Sequence, residues 1–192
     1  MKSFCINLDR RPERWAVTKQ HLEEQGLKDV IRFSGIDNSW MGCRDSFLSI
    51  FEKYRKEDGL MIFEDDVLFI NNKGFMIEAI EQMPENASVL YFGCSPRQPQ
   101  EKYSKNLFRI KNAVCLHAFL ITNEHGCIDY ILEHRAEIQK IDDFFATVVQ
   151  EKFNCFCVYP MVATQRETGT SDTCLRSDVL SIADNYAKFC QL

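Results

Sequence analysis

Three consecutive carboxylates, Glu64-Asp65-Asp66, stand between two apolar runs, Leu60-Met61-Ile62-Phe63 and Val67-Leu68-Phe69-Ile70. Apolar runs of this length, preceded by Gly59, predict buried strand segments. Adjacent anions at the mouth of a strand repel one another, so folding alone does not favour them. A hard divalent cation with oxygen ligands answers that repulsion most simply. If strand geometry persists, Glu64 and Asp66 point to one side and Asp65 to the other. Glu64 and Asp66 could then share one Mg²⁺ or Mn²⁺ and hold a phosphorylated ligand. The competing reading is a solvated acidic turn after a strand.

The rest of the chain bounds what such a turn can serve. At 192 residues it is most simply one domain, with a core over 3–165 and a tail over 166–192. A net charge of -5 argues against gripping nucleic acid through its phosphates, although a local basic patch is compatible with it. The nine cysteines are irregularly spaced, form no Cys-x-x-Cys pair and often sit in apolar runs. That usage predicts reduced thiols in a cytosolic compartment. The first residues are too short in apolar content for a signal peptide, and no stretch approaches a membrane span.

In order, Phe4 to Leu8 predicts a first strand. Asp9 is the expected N-cap, and Pro12 suits the first turn of a helix reaching Gln25. Arg10, Arg11 and Arg14 near that helix start suit a diphosphate, through charge and free backbone amides. Val30 to Ile36 predicts a second strand. Cys43, Phe47, Ile50, Phe51 and Tyr54 recur at helical spacing, as expected for core. A helix over Phe75 to Met83 and a strand over Ser88 to Phe92 follow the acidic turn. Cys94 to Lys105 reads as a polar loop, Leu107 to Ile110 and Ala113 to Ile121 as two strands. Asn123 is placed to cap a helix carrying Ile128, Ile131 and Leu132. Ile141-Asp142-Asp143 opens another helix, and Phe156 to Tyr159 is a last strand. The tail has helical spacing at Val179, Ile182, Ala183, Tyr186 and Phe189.

Alternating strands and helices predict an α/β domain, a three-layer sandwich whose ligands gather beyond the carboxyl ends of the strands. Asp9 with the arginines, Glu64 to Asp66, and Asp142 with Asp143 can converge there. A carboxylate-held metal beside arginines is what a nucleotide diphosphate leaving group needs, and a further carboxylate can deprotonate an acceptor hydroxyl. The residue types do not separate glycosyl transfer from metal-assisted phosphoryl transfer, nuclease chemistry included. A non-catalytic nucleotide-sugar or glycan-binding module is the third reading.

Ile6-Asn7-Leu8-Asp9-Arg10-Arg11-Pro12-Glu13-Arg14, Gly42-Cys43, Phe63-Glu64-Asp65-Asp66-Val67-Leu68, His117-Ala118-Phe119 and Ile141-Asp142-Asp143 occur in that order. Together they resemble glycosyltransferase family 25, the lipooligosaccharide galactosyltransferases and their collagen-modifying relatives. The resemblance implies a GT-A fold with a mixed, mostly parallel central sheet. It also implies a UDP-hexose donor, a divalent cation and inverting transfer to a hydroxyl, most simply on a glycan such as lipooligosaccharide. A hydroxylated protein or a hydroxymethylated DNA base is the alternative acceptor. Carried over by position, Glu64 and Asp66 are the metal ligands. Asn7, Asp9, Arg10, Arg14, Asp65 and His117 face the donor, and Asp143 or Asp142 is the base. The chain departs from the family in Gly42-Cys43-Arg44-Asp45-Ser46-Phe47, where the family's helix usually has His at the position of Phe47.

Overall fold

A computed structural model describes residues 1–71 and 73–166, so the helical spacing noted in the tail falls outside the described residues. β1 (Lys2–Leu8) leads into α1 (Pro12–Glu24), and β2 (Ile31–Gly35) into α2 (Ser39–Tyr54). β3 (Leu60–Glu64), β4 (Val67–Phe69), α3 (Lys73–Glu81) and β5 (Ala87–Tyr91) follow. Then come β6 (Ser95–Pro96), β7 (Glu101–Lys102), β8 (Leu107–Arg109), β9 (Ala113–Val114), β10 (Ala118–Ile121) and α4 (Cys127–Glu133). A continuous helical stretch comprises α5 (Ile141–Phe144), a π-helical turn (Phe145–Val149) and α6 (Gln150–Lys152). β11 (Asn154–Val158) and β12 (Ala163–Gln165) complete the order.

Eight strands form one sheet in the order β2-β1-β3-β10-β5-β11-β8-β7. β10 and β8 run against the others, which share one direction. The parallel pairs β1–β2 and β1–β3 require crossovers, supplied by α1 and α2. Side chains alternate across the sheet and build two cores. Phe4, Ile62, Tyr91 and Phe119 face Phe47 and Phe51 of α2, Ile128 of α4 and Phe145 of the π turn. Cys5, Met61, Phe63, Leu90 and Leu120 face Leu22 of α1 and Met76 of α3. This is the expected three-layer α/β/α arrangement with a mixed, mostly parallel sheet.

Phe47 belongs to the first core. Its ring centroid lies 5.9 Å from that of Phe119 and 6.4 Å from that of Phe51. Burying a side chain of this kind contributes about 1.5–3 kcal/mol. The departure at this position therefore fills the core.

Four local expectations change. The N-cap of α1 is Arg11, and no side chain bonds there, because Asp9 is taken by Arg32 and Ser34. The central strand stops at Glu64, a turn carries Asp65 and Asp66, and β4 pairs with β12 in a separate two-stranded sheet. Ala113 to Ile121 is two strands, not one, broken at Cys115, whose φ is 76°. The cause is capture of this backbone by the helical stretch. Gln150 bonds both the N–H and the C=O of Ala113, at 2.8 and 2.7 Å, and Asp142 takes the N–H of Cys115 at 3.1 Å. The polar segment from Cys94 contains β6, which pairs with β9, and β7, which pairs with β8.

Candidate active site

The carboxyl ends of β1, β3 and β5 meet the start of β10 at one edge of the sheet, and the expected residues gather there in three groups. The first is self-neutralised. Asn7, at 1% exposure, donates from Nδ2 to the Arg11 carbonyl at 2.9 Å and to Asp65 Oδ2 at 2.7 Å. Its Oδ1 accepts from Arg32 Nε at 2.8 Å. Arg14 Nη1 stands 3.3 Å from Asp65 Oδ1, with both side chains largely buried. The Asp65 carbonyl accepts from Thr18 Oγ1 at 2.6 Å and Arg166 Nη2 at 2.9 Å. Asp65 thus ties α1 and the chain after β12 to the acidic turn.

The second group lies at the exposed rim. Asp9 accepts from Arg32 Nη2 and Ser34 Oγ, each at 2.7 Å, and these bonds hold its carboxyl below the usual range. Arg10 forks onto Asp37 at 2.6 and 3.3 Å. Its guanidinium is therefore engaged by a carboxylate at the place where a diphosphate was expected.

The third group is anionic. Burial, then repulsion from Asp66, Asp142 and Asp65, pushes Glu64 well above the ordinary carboxylate range. A thiol partly relieves it: Cys43 Sγ donates to Glu64 Oε1 at 3.8 Å. Burial, then repulsion from Asp65, raises Asp66 to about 6, partly offset by Arg14 and Gln165. Gln165 Nε2 lies 3.3 Å from Asp66 Oδ2, while Asp66 Oδ1 is buried with no hydrogen-bond partner. Burial likewise raises Asp142 to about 6, against the pull of the Cys115 and Leu116 amides. Asp143 is more exposed and sits 3.4 Å from Arg97 Nη1.

His117 lies opposite Glu64, its carbonyl accepting the Glu64 N–H at 2.9 Å. The ring is fully buried, and burial lowers it to about 4, so it is neutral. Nε2 is 3.2 Å from the Ala163 carbonyl, which can only accept; the proton is therefore assigned to Nε2, leaving the buried Nδ1 lone pair without a partner. Gly93 permits this packing. A Cβ there would stand 1.8 Å from the Ala163 oxygen and 2.8 Å from His117 Nε2.

The donor set suits a hard cation: Glu64 and Asp66 supply oxygens, and Asp66 Oδ1 lacks a partner. Among the described residues no three His, Cys, Asp or Glu side chains form a metal-ligating cluster. A cation held here would draw its other ligands from substrate phosphates and water, as Mg²⁺ usually does.

Arg32, Arg97, Gln165 and Arg166 are the neighbours that sequence reasoning missed. Arg32 had a signal: Asn7 pairs with Ser34, so Arg32 shares their sheet face by period-two alternation. The others come from distant segments and carry no local signal.

The sequence matches no family model and no curated protein. Solved structures nevertheless share the architecture. A glycosyltransferase involved in the glycosylation of the major capsid of PBCV-1 superposes with a TM-score of 0.57 at 12% identity, covering 89% of this chain and 94% of that one. A197 from STIV gives 0.55 at 12% identity, over 90% and 87%. A Drosophila β-1,4-galactosyltransferase 7 mutant, in complex with manganese, UDP-Gal and xylobiose, gives 0.50 at 11% identity, over 94% and 78%. The chain has the fold of GT-A glycosyltransferases.

Proposed function

We propose that this protein transfers a hexose, galactose or glucose, from a UDP-sugar to an acceptor hydroxyl, with inversion and with dependence on a divalent cation. The observation that carries the reading is the anionic group at the carboxyl end of β3, where burial, then Asp66 and Asp142, raise Glu64, and burial raises Asp66 and Asp142 themselves. Glu64 and Asp66 would hold Mn²⁺ or Mg²⁺, which when bound neutralises charge developing on the departing diphosphate. Asp142 accepts the proton of the attacking hydroxyl. At about 6 it is ionised at neutral pH yet more basic than an ordinary carboxylate. Asp143 holds Arg97 beside it and is the second candidate for that role. Asn7, Arg14 and Asp65 keep the turn in place, Asp9 and Arg10 border the nucleotide, and neutral His117 backs Glu64.

The motif resemblance to family 25 supports a glycan acceptor. The UDP-Gal and manganese held by the galactosyltransferase neighbour support the donor and the cation. Among the described residues no helix is long and apolar enough to cross a membrane, and the described cysteines are free. Free thiols fit a cytosolic setting.

The test is turnover of UDP-galactose and UDP-glucose with and without Mn²⁺, in the native protein and in Asp66→Asn. Turnover is expected only with the cation, and the variant should lose about 10²–10³-fold. Undiminished turnover in the variant removes the acidic turn from the mechanism. Phosphate release from nucleotides, with UDP-sugars inert, would favour phosphoryl transfer.

A further inference from the structure

We propose that Gln165 is a positioning residue for the cation: its amide sets the rotation of the Asp66 carboxylate, and with it the place of the oxygen left for a metal. This rests on the metal-dependent transferase reading above. In a strand, alternation would aim the Asp66 side chain. Here β3 ends at Glu64 and Asp66 stands in a turn, so another group fixes it. The end of β12 supplies that group. Gln165 pairs with Val67, the residue after Asp66, in the β4–β12 ladder. From there Gln165 Nε2 donates to Asp66 Oδ2 at 3.3 Å, while the buried Oδ1 has no hydrogen-bond partner. An ionised carboxylate only accepts, which assigns the NH₂ end of the amide to it.

The strand that carries Gln165 is anchored at both ends. Before it, the N–H groups of Val162 and Ala163 donate to the Phe92 carbonyl at 2.8 and 3.0 Å. The Ala163 carbonyl faces His117 Nε2 at 3.2 Å, so the His117 wall steadies the start of β12. After it, the Arg166 N–H donates to the Asp66 carbonyl at 2.6 Å, and Arg166 Nη2 to the Asp65 carbonyl at 2.9 Å. The backbone of the acidic turn is thus held independently of the Gln165 side chain. Trimming that side chain releases the carboxylate and leaves the turn in place.

The choice of an amide has a consequence. It donates a hydrogen bond without adding charge, so Glu64 and Asp66 keep their full attraction for a cation. A lysine at the same place would meet the same carboxylate with a charge of its own and stand in for the metal. Removing the amide and replacing it with a cation therefore have different signatures. The first loosens the metal site without touching the metal-free fold, and the second strengthens the metal-free fold while closing the site.

The native protein, Gln165→Ala and Gln165→Lys are melted across a Mn²⁺ titration at saturating UDP, and bound Mn²⁺ is followed by the electron-spin resonance of the free ion. In Gln165→Ala the metal-free melting temperature should hold. Its Mn²⁺ midpoint should rise about 10–100-fold, the usual result of losing a group that orients a ligand, and turnover should recover at saturating Mn²⁺. In Gln165→Lys the metal-free melting temperature should rise and the response to Mn²⁺ should vanish. An unchanged midpoint in Gln165→Ala, with the native protein binding Mn²⁺, refutes the role of Gln165 and leaves the transferase reading standing. A drop in the metal-free melting temperature that accounts for the weaker binding makes Gln165 structural and overturns the proposal as well. So does a native Mn²⁺ response in Gln165→Lys. If the native protein takes up no Mn²⁺ with UDP present, metal dependence itself fails, and this inference with it.

Discussion

Asp65 and Asp66 are neighbours in sequence and opposites in circumstance. Asp65 is buried against Arg14 and the Asn7 amide, with every strong interaction answered from within the chain. Asp66 has one long bond to Gln165, a buried oxygen without a partner and a carboxyl pushed up to about 6. One aspartate joins α1 to the sheet; its neighbour keeps an unmet demand for positive charge. A run of acidic residues therefore does not share one role, and partners assign the roles.

The sharpest way to break the contrast is to unfold Asp65→Ala and Asp66→Asn in urea, both without metal. Asp65→Ala should lose about 3–5 kcal/mol, because Arg14 is left buried without its carboxylate. Asp66→Asn should lose nothing, since it removes a repelled anion. Equal losses in the two would show that both aspartates are structural.

Gly93→Ala probes the wall behind His117. The added Cβ would meet the Ala163 carbonyl, a backbone atom that cannot swing aside. A loss of about 1–3 kcal/mol is expected by thermal unfolding, and an unchanged melting temperature would mean that the chain before β12 yields freely.

The smallest effect is in the pH dependence. Asp66 has a folded value near 6, above the roughly 3.9 of an unfolded aspartate, so its contribution to stability is complete below about 3.9 and is lost as pH rises through 6. The stability of Asp66→Asn relative to the native protein should therefore grow between pH 4 and 7. Screening at this partly exposed carboxylate holds the gain to about 1 kcal/mol. His117 acts in the opposite sense. Its folded value near 4 means that its contribution is present above about 6.5 and is lost as pH falls through 4, equally in both proteins. A difference that stays flat with pH would place Asp66 in an ordinary solvated environment.

Much of the fold is legible in the sequence because apolar period follows the two cores directly. Leu60 to Phe63 alternates between them residue by residue, and Phe47 and Phe51 fall on the buried side of α2 at helical spacing. The break at Cys115 is not legible, because an apolar run gives no sign that Gln150 and Asp142 will seize its backbone from a distance. The acidic turn is legible as a place of unusual charge. Its division of labour is not, since Arg14 reaches Asp65 from another element and Gln165 reaches Asp66 from the far end of the described chain. Asp9 fails as a cap for the same reason. A cap is a local inference, and a guanidinium on the next strand outcompeted it.

The π turn between Asp142 and Gln150 works as a spacer that can be counted. In an uninterrupted α-helix, residues eight apart are rotated by about 80°, but one extra residue accommodated in the coil brings them within about 20°. Both side chains can then grip the same passing backbone. Removing a single residue from Phe145–Val149 would leave a regular helix in which the same two side chains stand seven apart, again within about 20° of each other. The π turn is accordingly a way of absorbing one residue of extra length: a chain that shares the fold but lacks that residue would present the same pair of side chains from an unbroken α-helix.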